Sequence, residues 1–251
     1  MENENTLTLL KEQPNPKVLV ITPLWPGHKL SRDTKTTIKR NETPILWYSY
    51  SGYNNIPTNW WTGFSEIKKL HKKLPPYILP LDRDIIMGRH MLDRMVGVFE
   101  AETVLAHMAF VYCNFEFKGV VNRKFPADPY DISKLMTGNY ISSNSLMNRE
   151  LLEFIGGPVT DVQYTRLLDW ALWLKFAKFG FVGVPCPTAH FVAISSEDDI
   201  SAGGVDDYQL KHQRITKDFV EPLRKQITMP TAYANQTAEQ AAADITVKVD
   251  F

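Results

Sequence analysis

Short apolar runs alternate with longer amphipathic stretches along this chain. Lys17-Val18-Leu19-Val20-Ile21-Thr22 is apolar at consecutive positions, as in a strand buried on both faces, and it stops at the stiff Pro23-Leu24-Trp25-Pro26-Gly27. Ser31 or Asp33 is placed to cap a short helix running through Arg40. Residues 44–50, with Ile45-Leu46-Trp47-Tyr48 at their centre, predict a second strand closed by Ser51-Gly52. A helix is predicted over 60–73, where Trp60, Trp61, Phe64, Ile67 and Leu70 share a stripe and Lys68, Lys69, Lys72 and Lys73 face outward. Pro75-Pro76 ends it, just before the apolar run 77–81.

After Asp84 the spacing of Met87, Met91, Met95, Val98 and Phe99 predicts a helix to about Glu102, with methionine as core filler. Residues 104–117 alternate as a strand, and 122–133, with Pro126 and Pro129, read as a loop. Residues 135–146 are polar but threaded with bulky side chains, as in a binding wall. A short helix over 149–155 meets its natural stop at Gly156-Gly157-Pro158. An apolar helix over 167–179 ends at Gly180, a strand follows over 181–185, a loop over 190–204 and an amphipathic helix over 208–227. The alternation predicts one α/β domain over 17–228, preceded by a polar leader (1–16) and followed by an Ala-, Thr- and Gln-rich tail (229–251).

Charge and cysteine content narrow the function. Lysine plus arginine equals aspartate plus glutamate, 28 each, so a general nucleic-acid binder is not indicated. Cys113 and Cys186 lie far apart and form no metal-binding pair. No apolar run reaches the roughly 18 residues that span a bilayer, and the N-terminal residues lack a signal pattern, so a cytoplasmic location is expected.

The chemistry concentrates at Tyr77-Ile78-Leu79-Pro80-Leu81-Asp82-Arg83-Asp84, where an apolar run ends in two carboxylates. The C-terminal edge of an α/β sheet is where ligands collect. Two neighbouring carboxylates there suit a divalent cation that shares its shell with water and phosphate oxygens. The plain alternative is that Asp82 caps a helix and Asp84 strengthens its first turn.

Three segments in order resemble the GT-A fold glycosyltransferases, in particular the large inverting family 2. The first is residues 77–84 with the helix and strand that follow, similar to that family's strand, Asp-x-Asp, helix, strand core. The second is Gly138-Asn139-Tyr140-Ile141 leading through Leu146-Met147-Asn148-Arg149-Glu150 to Ile155-Gly156-Gly157, similar to its acceptor-side segment. The third, Leu168-Asp169-Trp170-Ala171-Leu172-Trp173-Leu174, resembles the Glu-Asp-Trp-x-Leu-Trp-Leu start of the helix that carries its catalytic base. The likeness covers about residues 17–204 and implies an α/β fold with a mostly parallel mixed sheet flanked by helices. The nucleotide half looks trimmed, Leu168 stands where the family has glutamate, and the Gln-x-x-Arg-Trp signature of polymer-making members is absent, which points to transfer of a single sugar.

The resemblance implies a nucleotide-sugar donor, taken as a UDP-sugar, and an acceptor that the sequence does not identify. It implies Asp169 as the general base, with Asp161 or Asp198-Asp199 next in line, and Asp82, Asp84 and His190 around Mn²⁺ or Mg²⁺. Pro23, Trp25, Tyr50, Ser51, Asp82 and Arg83 become donor contacts, and Asn139 and Trp170 acceptor contacts. Arg89, Arg149 and Arg166 are further phosphate candidates. A nucleotidyltransferase would also use carboxylate-bound metal but would open on a glycine-rich loop, where Pro23-Leu24-Trp25-Pro26 stands. A non-catalytic sugar or nucleotide binder on the same fold is the other alternative, and the leucine at 168 is its best argument.

Overall fold

The computed structural model describes residues 5–101, 107–120, 122–195 and 205–228. The tail 229–251 and the Asp198-Asp199 pair lie outside the described residues. The strands are β1 (Thr6–Glu12), β2 (Val18–Leu24), β3 (Ile45–Ser51), β4 (Tyr77–Pro80), β5 (Ile85–Met87), β6 (Met108–Gly119), β7 (Arg123–Phe125), β8 (Leu146–Asn148) and β9 (Val182–Ser195). The helices are α1 (Arg32–Thr37), α2 (Ile56–Leu70), α3 (Met91–Glu100), α4 (Ile132–Leu135), α5 (Arg149–Phe154), α6 (Leu168–Lys178), α7 (Val205–Ile215) and α8 (Glu221–Thr228).

One mixed sheet joins all the strands in the order β1-β3-β2-β4-β8-β6-β9-β5, with β7 paired to β6. Its longest ladders, β6 with β9 and β2 with β3, are parallel, and β2 with β4 is parallel too. The short β8 joins the two parallel blocks by antiparallel pairing on both sides.

Alternation along the strands divides the core. Leu19, Ile21, Leu46, Tyr48 and Ile78 pack with Trp60, Phe64 and Ile67 of α2 and with α6. Val18, Val20, Ile45, Trp47 and Leu79 pack on the other face with Met91, Met95 and Phe99 of α3. Seven consecutive buried positions in β2 confirm a strand covered on both faces. Ser31 caps α1 as expected, its hydroxyl accepting the Thr34 N–H at 3.0 Å. The double glycine closes α5: Gly156 and Gly157 donate to Glu153 and Leu152. At Gly157 φ is +76°, and a Cβ would stand 2.3 Å from the Trp61 ring, so only glycine fits.

Several elements differ from the sequence expectation. Thr6–Glu12, expected in a leader, is an edge strand antiparallel to β3. The helix expected after Asp84 begins only at Met91, because Ile85–Met87 pairs with β9 and His90 adopts a left-handed φ of 57°. The loop expected over 122–133 holds β7 and the start of α4, whose cap is Asp131. The loop expected from His190 is instead the continuation of β9 to Ser195. For β1, β5 and the end of β9 long-range pairing overrides local pattern, whereas β7 is a short hairpin return on β6. Among the described residues no helix is long and apolar enough to cross a membrane.

Candidate active site

β4 ends at Pro80, and Asp82, Arg83 and Asp84 form the turn into β5, all half-buried. The turn is held by neighbours distant in sequence. The Arg83 carbonyl accepts from the Ser31 N–H at 3.0 Å and the Thr34 hydroxyl at 2.8 Å, and the Asp84 carbonyl accepts from the Ile194 N–H at 3.4 Å. Asn144, 3% exposed, grips Asp82 twice: its Oδ1 accepts the Asp82 backbone N–H at 2.9 Å, and its Nδ2 donates to Asp82 Oδ2 at 2.8 Å. The Ser143 hydroxyl stands 3.4 Å from the same oxygen.

Asp169 lies in the first turn of α6, after the buried Leu167 and Leu168. Its Oδ2 accepts from Asn139 Nδ2 at 2.8 Å and its Oδ1 from the Trp170 N–H at 2.8 Å. Burial pushes its carboxyl up to about 7; the hydrogen bonds from Trp170, Asn139 and its own backbone oppose the rise, and the negative charge of Asp82 adds to it. The positive end of α6 also favours the anion, yet desolvation prevails. Residues 139–144 therefore form a strap that holds one aspartate at each end, Asp169 through Asn139 and Asp82 through Asn144.

The structure relocates several candidates. His190 stands opposite Gly88 in the β5–β9 pairing, with Gly88 N–H donating to its carbonyl at 2.9 Å. Asp84 is opposite Ile194, four positions away and about 13 Å along a strand at about 3.3 Å per residue. The exposed His190 ring lies over Gly88 and near Glu116, so it does not join Asp82 and Asp84. A break in the β6–β9 register, from Cys113↔Cys186 to Asn114↔His190, sets this position.

Trp170 is fully buried, its Nε1 donating to the Leu135 carbonyl at 2.7 Å, so it is a core residue and not a sugar platform. Trp173 does the same for the Ile141 carbonyl at 3.0 Å. Together they pin residues 135–141 to α6. Tyr50 is packed under α2, its Cβ where a side chain at Gly63 would go, and Pro23 is its buried ladder partner, so neither faces an open edge. Trp25 and Ser51, at the strand ends, are half-buried. Arg149 is occupied by Glu150, Glu153 and the Pro75 carbonyl. Asp161 caps a turn through the Gln163 N–H.

Two positions had not been singled out in the sequence. Asn144 is one asparagine in a Ser- and Asn-rich stretch with no distinguishing pattern. Asn59, fully buried, donates to the Leu24 carbonyl at 3.3 Å and the Gly52 carbonyl at 2.8 Å, fastening the ends of β2 and β3 together.

Asp82 and Asp84 offer the hard oxygen donors that Mg²⁺ or Mn²⁺ takes. Among the described residues no three His, Cys, Asp or Glu side chains form a cage for an ion. The donor set fits a cation held by one or two carboxylates and completed by phosphate oxygens and water.

The fold is that of GT-A glycosyltransferases. It is similar to a mannosyltransferase from Pyrobaculum calidifontis solved in complex with GDP-Man and Mn²⁺, at 13% identity over 93% of this chain and 81% of that one, with a TM-score of 0.52. The catalytic domain of Drosophila β1,4-galactosyltransferase 7, solved in complex with xylobiose, matches at 11% identity over 82% of this chain and 83% of that one, with a TM-score of 0.51. TarS of S. aureus matches at 12% identity over 80% of this chain and 39% of that one, with a TM-score of 0.51. No family model matches the sequence, and comparison with curated proteins finds no sequence relative.

Proposed function

We propose that this chain is an inverting glycosyltransferase that moves one sugar from a UDP-sugar to an acceptor hydroxyl, with residues 6–228 as its catalytic domain, because β1 completes the same sheet. The observation that carries the reading is Asp169: a carboxylate raised to about 7 by burial, oriented by Asn139, and strapped to the Asp82 turn. A general base works best with a pKa near the operating pH, and a carboxyl raised to about 7 suits a reaction run near neutrality.

In the reaction, the acceptor oxygen bonds to the anomeric carbon as the bond from that carbon to the β-phosphate oxygen breaks. UDP departs with the electron pair, and the acceptor proton passes to Asp169. Asn139 keeps the carboxylate turned toward the acceptor. Asp82 and Asp84 would hold Mn²⁺ or Mg²⁺, which when bound neutralises the departing diphosphate. Trp25, Ser51 and Arg83, at the strand ends and on the Asp82 turn, are the donor contacts of this reading.

A panel of nucleotide sugars assayed for nucleotide release, with and without Mn²⁺, tests the activity. Calorimetry tests the metal: UDP binding should strengthen several-fold or more with Mn²⁺, and Asp84→Ala should abolish that gain. Equal UDP affinity in Mn²⁺ and in EDTA would overturn the metal assignment.

A further inference from the structure

The edge of the sheet opposite the candidate site carries charge and apolar surface that the catalytic reading leaves unused. Arg149 ties α5 to the entry of β4, its N–H donating to the Pro76 carbonyl at 2.9 Å and its Nε to the Pro75 carbonyl at 2.9 Å. From Pro76 the chain runs six residues to Asp82, about 20 Å at about 3.3 Å per residue. α6 gives the same placement independently. It carries Asp169 in its first turn and is capped by Phe179, ten residues on and about 15 Å away. Lys68 of α2 pairs with Glu153 of α5, and the Phe154 and Phe179 rings meet edge to face with centroids 5.8 Å apart. The end of α2, α5 and the end of α6 therefore share one face, turned away from Asp82 and Asp169.

This face is basic in a chain of zero net charge. Residues 66–76, 149–154 and 176–179 hold six lysines and arginines against three glutamates. Lys68, Lys69 and Arg149 are paired with those glutamates. Lys72, Lys73 and Lys178 are exposed and have no carboxylate partner among the described residues. Between the end of α2 and α5 runs a groove of about 640 Å³, with Lys68, Lys72, Lys73 and Arg149 along it beside Glu150 and Glu153. Set among these cations are Leu70, Phe154 and Phe179, exposed to 64%, 40% and 47%. Large apolar side chains exposed together mark an interaction surface.

Cations and apolar side chains on one face select the partner. A nucleic-acid backbone would use the lysines and leave Leu70 in water. A bilayer interface uses both, with lysines at anionic headgroups and leucine and phenylalanine at the acyl boundary. We infer that this face seats the protein on an anionic membrane surface, with Asp82 and Asp169 directed to the aqueous side. A few lysines and three apolar side chains give reversible, salt-sensitive attachment and not insertion. The inference stands on the face itself and does not depend on the transfer reaction.

The test reads binding rather than turnover. The full chain is mixed with sedimentable phosphatidylcholine vesicles, or with vesicles in which about 30% of the lipid is phosphatidylserine, and the bound fraction is read after centrifugation. Binding should appear on the phosphatidylserine vesicles and fall about tenfold or more at about 0.5 M salt. Lys72→Glu with Lys73→Glu should weaken it about tenfold or more. Leu70→Ser, at an exposed helix end, should weaken it severalfold, and neither variant should change the melting temperature. No binding to either vesicle, equal binding to both, or binding undiminished in either variant overturns the membrane seat. Lysine-dependent binding to heparin or DNA without vesicle binding also overturns it, and makes the partner a soluble polyanion.

Discussion

Asp82 and Asp169 sit at the two ends of one strap, and their surroundings differ in kind. Asp169 occupies a helix turn beside buried leucines and takes one side-chain and one neighbouring backbone hydrogen bond. Its carboxyl is pushed up to about 7, where it takes and gives protons readily. Asp82 lies on a half-buried turn between two strands, with the amide of Asn144 and the hydroxyl of Ser143 on a single oxygen, and its backbone is clamped by the same Asn144. Both residues are half-buried, and what distinguishes Asp82 is that one side chain holds its backbone and its carboxylate together. One environment suits a base, the other a ligand for a hard cation, and residues 139–144 hold the two in register.

The largest expected effect lies at Asp169, the base of the proposed reaction. Asp169→Asn removes the proton acceptor and keeps the shape, so sugar transfer should fall about 10²–10⁴-fold, with UDP-sugar affinity within about threefold, worth under about 1 kcal/mol. Near wild-type transfer would place the base elsewhere and end the comparison.

The strap residues should separate next. Asn139→Ala removes a hydrogen bond to a carboxylate, worth about 1.5–3 kcal/mol, so transfer should drop about ten- to hundredfold. That bond lowers the carboxyl pKa. Its loss should move the midpoint of the rate–pH profile upward from about 7, below which the protonated wild-type base is inactive. Asn144→Ala should leave this midpoint in place and weaken Mn²⁺-dependent UDP binding. Identical pH profiles for the two variants would show that the strap does not divide its work.

The smallest effect is on stability. The folded-state pKa of Asp169 is raised above its ordinary value, so the fold binds that proton more tightly than the unfolded chain. Its contribution is present at low pH and is lost as pH rises from about 4 through about 7. Across that window wild type should lose melting temperature relative to Asp169→Asn, read by calorimetry at both ends. A difference that stays constant with pH would mean the carboxyl is not raised.

Much of this arrangement was legible in the sequence. The apolar run ending at Asp82 and Asp84 is β4 and its turn, and Asn139 and Asp169, named together from the sequence, are joined by a hydrogen bond. The misplacements have physical causes. Trp170 looked like a sugar platform because it follows Asp169, but α6 is apolar on nearly every side, and such a helix is buried all round. That signal was available and outweighed by adjacency. His190 depends on a register break between β6 and β9, which has no local signature. β5 has three residues and exists only through β9. Asn144 is distinguished by what it touches rather than by its neighbours in sequence.

The N-terminal strand has a practical consequence. β1 alternates Thr6-Leu7-Thr8-Leu9, but most of its side chains are exposed, so trimming it looks harmless. Yet it covers the outer rim of β3 from Ile45 onward, with Gln13 N–H also donating to the Ile45 carbonyl at 3.1 Å. A chain begun at Lys17 would bare a row of backbone N–H and C=O groups along an apolar strand, a template for pairing with other copies. Versions shortened to begin at Lys17 should therefore self-associate more than the full chain at equal concentration, read by light scattering.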